Sequence, residues 1–170
     1  MNESIAASEA QEASGTAFKR KTISAARPLI DEGVALVLEQ LAYGEPLLFE
    51  CERLLRLGAT GTRGRRTRSE DAFRRLGIEN KVYFRRELRE LGLPPPTKLL
   101  AWGQLIGVTA GWLRRDANTS RDSIALEWGF SDGGSCSTRC YHHSDLYPSD
   151  IDTMPRLIDA LLATWRASRN

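Results

Sequence analysis

Apolar residues recur at helical spacing along most of the chain, and this pattern predicts helices rather than strands. Between Pro28 and Leu57 they lie mostly three or four positions apart, and Gly44 and Pro46 interrupt the run, so two short helices are expected there. After Pro155 the spacing returns in a final amphipathic helix, with apolar positions Leu157, Ile158, Leu161, Leu162 and Trp165. The pattern therefore predicts an all-α fold.

A short helix, a glycine turn and a second helix form a plan that occurs twice, about fifty residues apart. In the first copy, Thr67 and Glu70 have the spacing of a capping box, and Gly77 supplies the turn. The second helix is expected from Asn80 to Leu91. Its apolar stripe is Phe84, Leu88 and Leu91, and its other faces carry Lys81, Arg85, Arg86 and Arg89.

The second copy begins at Thr119 and Asp122, which again have the capping spacing. Gly129 turns the chain, and Ser131 can cap a following helix that runs to about His143. The apolar positions of the short helix are Ile124, Ala125 and Trp128. Two short helices joined by a glycine turn are typical of a helix-turn-helix, so two such units are predicted.

A long, mostly buried helix is predicted between the two units, from Thr97 to Arg115, after the prolines at 94–96 stop the preceding helix. Its apolar face carries Leu99, Trp102, Leu105, Ile106, Ala110 and Leu113. Glycines recur every four residues, at Gly103, Gly107 and Gly111. They favour close packing against another helix over a membrane dimer, because the uncharged run is shorter than the roughly 20 residues that cross a bilayer.

The two signs of charge are segregated, although 24 basic and 22 acidic residues leave a net charge of only +2. Ten basic and five acidic residues lie between positions 61 and 91, whereas seven acidic and two basic residues lie between positions 116 and 152. A polyanion would therefore be attracted to the first segment and repelled by the second. Three cysteines, odd in number and sparse, favour a reduced, cytoplasmic location.

These residues resemble the DNA-binding region of the AraC/XylS family of bacterial transcription regulators. The stretch Ile124-Ala125-x-x-Trp128-Gly129-Phe130-Ser131-Asp132 is similar to the second helix-turn-helix of the family, and Tyr147-Pro148-Ser149-Asp150-Ile151 is similar to its closing segment. Gly92-Leu93-Pro94-Pro95-Pro96, with Leu99, Leu100 and Trp102, resembles the entry into the linker helix. The similarity covers about 68–151, and it implies a sequence-specific DNA-binding regulator with two helix-turn-helix units bridged by a long helix.

Composition, apolar spacing and this resemblance together suggest a domain plan. A disordered leader (1–25) precedes a short helical region (26–60) and an Arg/Gly-rich linker (61–68), and the AraC-like DNA-binding domain (69–153) is followed by a C-terminal helix (154–170). The leader is rich in Ala, Ser and Glu, so neither a secretory signal nor a membrane anchor is expected. The first sixty residues are too few for the sugar-binding barrel that is common in the family.

Several positions depart from the family pattern. Phe73 stands where the first unit usually has a small residue, and Asp145 replaces the usual glycine before the closing segment. Cys136 and Cys140 stand where the second unit usually has core aromatics. Because cysteine buries less area than an aromatic ring, we expect cavities or looser packing in the second unit.

The resemblance also identifies the positions that would contact bases. In the first unit they are Val82, Arg85 and Arg86, and in the second they are Gly133, Gly134 and Thr138. Arginine can bind guanine with two hydrogen bonds, whereas glycine has no side chain to reach a base. We therefore expect asymmetric recognition, with the first unit dominant. The candidate phosphate contacts are Lys81, Arg89 and the linker arginines Arg63, Arg65, Arg66 and Arg68, and Arg139 of the second unit is a further candidate DNA contact.

The same residues also have interpretations that involve no binding function. Arg85 and Arg86 could form a solvated helix face, and the linker arginines could simply keep that segment soluble. Cys136, Cys140, His142 and His143 have spacing that suits zinc, but the cysteines fall on apolar positions of their helix, so we expect no metal and no cofactor.

The sequence bears on three classes of function: an enzyme, a DNA-binding regulator and a protein-interaction module. No catalytic triad, phosphate loop or zinc-protease spacing is present, so an enzyme is not expected. The predicted function is a transcription regulator whose partner is double-stranded DNA, with RNA polymerase or a second copy of the chain as further candidates and no membrane. The alternative is a degenerate helix-turn-helix module that acts as a protein–protein interaction domain.

Overall fold

Helices make up the part of the chain that the structure describes. The computed structural model describes residues 23–41, 47–60 and 68–169. Its helices are α1 (23–41), α2 (Leu48–Thr60), α3 (Ser69–Leu76), α4 (Lys81–Glu90), α5 (Pro96–Arg114), α6 (Arg121–Glu127), α7 (Gly133–Ser144) and α8 (Met154–Ala167). One 3-10 turn follows α7 at Pro148–Asp150. No residue in the described ranges is in a strand, which confirms the predicted all-α fold.

Helix α5 lies at the centre of the core, as its apolar composition predicts. Every residue from Leu99 to Trp112 is buried, since this stretch is apolar on nearly all faces and Gln104 and Thr109 are its polar side chains. It begins at Pro96, one residue earlier than predicted. Proline is favoured there because it has no N–H to leave unpaired and its φ already suits a helix.

Close backbone contact joins α5 to α2. A methyl group on Gly103 would overlap the carbonyl oxygen of Leu55, and one on Gly58 would overlap the carbonyl oxygen of Leu100. The predicted packing of the glycine-bearing helix against another helix is confirmed. The consequence is that α2 shares one core with the rest of the chain, although a linker was predicted to separate them. Residues 61–67, which include Thr67 and three of the linker arginines, lie outside the described residues.

Helices α1 and α8 complete the core on another side of α5. Gly33 of α1 lies against Ile106 and Met154, and the apolar stripe predicted for α8 is buried from Leu157 to Leu162. Residues 23–25, which were predicted to belong to the disordered leader, are helical. Among the described residues, no helix is both long enough and apolar enough to cross a membrane.

The predicted caps are wrong at two helix starts, α6 and α7. The capping prediction for α3 involves Thr67, which lies outside the described residues, and Glu70 accepts a hydrogen bond from Lys81 of α4. Ser120 caps α6 while its neighbour Thr119 bonds to Asp116. Asp132, rather than Ser131, caps α7 through a bond from the Ser135 backbone N–H. Neighbouring polar side chains meet the spacing rule almost equally, so local geometry decides which one caps.

Candidate nucleic-acid interface

The first helix pair, α3 with α4, is joined by a turn that only glycine adopts easily. Gly77 has a φ of 67° and lies in open space, so its backbone conformation explains its presence better than close packing does. Asn80 then caps α4 by accepting a bond from the Tyr83 backbone N–H. The turn and cap fix where α4 begins relative to α3.

A pair of aromatic rings holds these two helices together. Phe73 of α3 is fully buried, and its ring meets that of Phe84 edge to face, with centroids 5.9 Å apart. Phe73 is large, although the resemblance to AraC/XylS regulators implies a small residue at this position. Its burial against Phe84 shows how the first pair accommodates that departure.

The outer face of α4 lies opposite its buried stripe. Phe84 and Leu88 point into the core, and Val82, Arg86 and Arg89 lie on the other side by helical spacing, with Val82 77% exposed. Leu91, predicted to belong to the apolar stripe, instead ends the helix and is 37% exposed. Its φ/ψ remain helical, but the chain turns away at Gly92, so its side chain is left at the surface.

Two predicted DNA contacts on α4 share one carboxylate of α3. Lys81 Nζ lies 2.6 Å from Oε2 of Glu70, and Arg85 Nη2 lies 2.7 Å from Oε1 of the same carboxylate. The hydrogen bond from Lys81 and then that from Arg85 lower the pKa of Glu70. The Arg85 guanidinium also lies 5.0 Å from the centre of the Phe73 ring.

Arg86 is held by weaker neighbours. Its guanidinium stacks over the Tyr83 ring at 5.2 Å, and its Nε lies 3.6 Å from the Glu90 carboxylate one helical turn further on. Both contacts are with side chains that are largely exposed. Arg86 is therefore the predicted base-contacting arginine that lies fully on the outer face of α4.

The second helix pair, α6 with α7, has small side chains or none at the positions that match the predicted base contacts of α4. A methyl group on Gly133 would overlap the Asp122 carboxylate, so this glycine permits close approach of α6 to the start of α7. Gly134 is exposed, and the Thr138 hydroxyl donates to the Gly134 carbonyl oxygen. None of these three predicted contacts extends a long side chain outward.

Buried hydrogen bonds tie the second pair to the core. Gln104 of α5 donates to the Trp128 carbonyl oxygen at 2.6 Å, and the Trp128 indole N–H donates to the carbonyl oxygen of Ala59 at 2.7 Å. Arg139, a predicted DNA contact, is half-buried, lies over the Phe130 ring and donates to Gln104 at 3.4 Å. Arg139 thus packs toward the core, and this position favours a structural role.

Cys136 and Cys140, whose spacing suits zinc, are buried in the core. Cys136 and Cys140 are fully buried, and burial raises the pKa of both thiols, which keeps them protonated. Over the described ranges, no group of three or more His, Cys, Asp or Glu side chains is arranged to hold a metal ion. The two cysteines act as small apolar residues of the core.

Asp145, where the resemblance to AraC/XylS regulators implies a glycine, has a left-handed backbone conformation. It ends α7 with a φ of 55°, in the left-handed region that aspartate tolerates better than most residues. Its carboxylate accepts a bond from the Thr164 hydroxyl of α8 at 3.2 Å. This contact links the end of α7 to α8.

Two features escaped the sequence analysis. One is the contact of Glu70 with α4, which joins residues 11 and 15 positions apart. The other is a stacked pair of exposed tyrosines, Tyr141 and Tyr147, whose ring centroids lie 4.9 Å apart. Each contact joins residues of different elements across a turn, and periodicity within a single element does not reveal such contacts.

Comparison with protein-family models, with curated proteins and with solved structures finds no match to this chain. The likeness to AraC/XylS regulators therefore rests on the residues and spacings of the sequence.

Proposed function

We propose that this protein is a bacterial transcription regulator that binds double-stranded DNA and reads the major groove mainly through α4. The observation that carries the proposal is the outer face of α4, where Val82, Arg86 and Arg89 project away from the core. An α-helix fits the major groove, and a bidentate arginine contact to guanine discriminates by about 1–3 kcal/mol. Arg86 and Val82 would contact bases.

The charge distribution supports the same assignment. Lys81, Arg85 and Arg89 lie on α4 near the face that would meet DNA, where they would contact phosphates. The second pair lies in the acidic part of the chain and would contribute little attraction. On this proposal the protein acts in the cytoplasm, and RNA polymerase or a second copy of the chain is a further candidate partner.

Fluorescence anisotropy with a fluorescent random-sequence duplex tests the proposal. The purified chain is titrated at two salt concentrations, beside the double variants Arg85→Ala/Arg86→Ala and Arg114→Ala/Arg115→Ala. Both variants remove two adjacent, exposed arginines, so they match in charge. We expect the affinity to fall with a slope of about −0.9 per phosphate contact on logarithmic axes, and the α4 variant to lose most of it.

Two outcomes would contradict the proposal. One is that the unaltered chain does not bind DNA at low salt. The other is that both double variants lose the same amount of affinity, because net charge alone would then explain the loss. If binding proves specific, selection from a random duplex library would then supply the operator sequence.

A protein-interaction module is the second candidate, and the exposed tyrosines favour it. Tyr141 and Tyr147 stack on one another while remaining 46% and 53% exposed, and they lie in the acidic part of the chain. Aromatic residues are enriched at protein interfaces. A partner bound through this pair would respond far less to salt than DNA would, and Tyr141→Ala would weaken its binding.

A further inference from the structure

One carboxylate joins two basic side chains on α4. The two oxygens of Glu70 are divided between Lys81 and Arg85, which lie one helical turn apart on the side of α4 that faces α3. The distances of 2.6 and 2.7 Å are those of charge-assisted hydrogen bonds. Lys81 and Arg85 therefore form a cradle for a single anionic group with two oxygens.

We propose that this cradle is a phosphate-binding position, which the Glu70 carboxylate occupies in the free protein and a DNA backbone phosphate occupies in the complex. The inference rests on the proposed function. A carboxylate and a phosphodiester each present two anionic oxygens, and lysine and arginine bind both groups. Glu70 is thus an internal competitor that sets how strongly the first pair binds DNA.

The exposure of the three side chains allows the exchange. Glu70, Lys81 and Arg85 each remain between 41% and 52% exposed, and ion pairs that accessible to water are weak. A phosphate that arrives from solvent can therefore displace the carboxylate without opening the core. The same exposure leaves room for a duplex to approach.

Arg85 is prepared for the exchange by a second contact. Its guanidinium lies over the ring of Phe73, which is fully buried and fixed against Phe84. This stacking does not depend on Glu70, so Arg85 keeps its orientation when the carboxylate leaves. Because this stacking holds Arg85 beside α3, Arg85 would contact the DNA backbone. Arg86 would then be the arginine that contacts bases.

Glu70→Gln tests the proposal because it removes the charge and preserves the shape. Glu79→Gln is the matched control: it makes the same change at an exposed residue in the turn before α4, where the side chain contacts neither Lys81 nor Arg85. Binding to a random-sequence duplex is measured by anisotropy over a range of salt concentrations, and thermal unfolding shows that each variant is folded.

We expect Glu70→Gln to bind about fivefold more tightly than the unaltered chain at low salt, and Glu79→Gln to change affinity less than about twofold. The salt slope of Glu70→Gln should be steeper by up to about one, because no carboxylate takes up a counterion when the phosphate arrives. In an Arg85→Ala/Lys81→Ala background, Glu70→Gln should give no advantage over Glu79→Gln.

Each other outcome has a defined meaning. If the unaltered chain binds DNA and the two Gln variants behave alike, the competitor role is wrong while the proposed function stands. A weaker complex with Glu70→Gln would overturn the inference too, since Glu70 would then support Arg85 rather than compete. If no variant binds DNA, the proposed function fails and the inference fails with it.

Discussion

The first and second helix pairs share one backbone plan but differ in what they present. In both, a short helix meets a second helix across a turn that contains a left-handed glycine, Gly77 or Gly129. The outer face of α4 carries arginines, whereas the matching positions of α7 are Gly133, Gly134 and Thr138. A shared local fold therefore does not imply a shared role, because side chains on the outer face decide what binds.

The two pairs also differ in how they are held. Phe73 and Phe84 fix the first pair by apolar packing, and its polar contacts lie at the surface. The second pair is fixed by buried hydrogen bonds that run from Gln104 through Trp128 to Ala59. We interpret the first pair as the DNA-contacting part and the second as a scaffold that joins α2, α5 and α8.

Gly107→Ala is expected to have the largest effect on stability, because it disrupts the packing of the second pair against α2 and α5. A methyl group there would overlap the Ala59 carbonyl oxygen and the Trp128 indole nitrogen, so the backbones must move apart. We expect a loss of about 3 kcal/mol in the free energy of unfolding, measured by urea titration.

Gly134→Ala is the control for that change, because a methyl group there meets only the Asp132 carboxylate, at 3.2 Å. It should alter the free energy of unfolding by no more than about 1 kcal/mol. Equal effects of the two alanines would mean that the second pair is not anchored in this way.

Trp128→Phe is expected to cost about 2 kcal/mol in the free energy of unfolding. The substitution keeps an aromatic ring and removes the indole N–H, which leaves the buried Ala59 carbonyl oxygen without this donor. Trp112→Phe provides the comparison, since its indole bond to Arg121 is longer, at 3.4 Å, and partly exposed. A larger loss from Trp112→Phe would contradict the anchoring role of Trp128.

Arg86→Ala tests whether the first pair, rather than the second, recognises the DNA sequence. We expect discrimination between a selected operator and random duplex to fall by about 1–3 kcal/mol, the worth of one bidentate base contact. Thr138→Ala, at a matching position of the second pair, should leave that discrimination unchanged. Competition binding with unlabelled duplexes measures both variants, and the reverse pattern would assign recognition to α7.

The smallest effect is a pH dependence in the first pair. The pKa of Glu70 is lowered in the folded chain, chiefly by Lys81, so its contribution to stability is complete above the ordinary pKa of 4.5 and is lost as pH falls through the lowered value. Urea unfolding should therefore distinguish the unaltered chain from Glu70→Gln at pH 6, and the difference should shrink as pH is lowered below 4.5. A difference that stays constant as pH is lowered below 4.5 would show that ionisation of Glu70 is not responsible.

The long-range order of the helices was largely accessible from sequence. Helix α5 was predicted to within one residue at each end, because its apolar run and glycine spacing allow few other arrangements. The caps at Ser120 and Asp132 were missed by one residue, since adjacent polar side chains satisfy the same spacing rule. The contact between α2 and α5 required the structure, because glycine spacing shows that a helix packs closely without identifying its partner.

The candidate site was predictable by position but not by contact. Helical spacing predicts that Arg86 lies away from the apolar stripe, and the resemblance identifies Val82 as a base contact; both are exposed on the outer face of α4. The pairing of Arg85 with Glu70 and the packing of Arg139 over Phe130 depend on side-chain conformations in three dimensions. No periodic pattern records such contacts, so the sequence does not distinguish Arg85 from Arg86 and does not show that Arg139 packs toward the core.

Chemical-shift mapping tests most directly the claim that DNA is bound through the first helix pair. The ¹⁵N-labelled chain would be titrated with duplex DNA at low salt while its backbone amide resonances are followed. The account predicts the largest shifts at residues 81–90 of α4 and small shifts at residues 133–144 of α7. Largest shifts at 133–144, or none anywhere at saturating DNA, would contradict it.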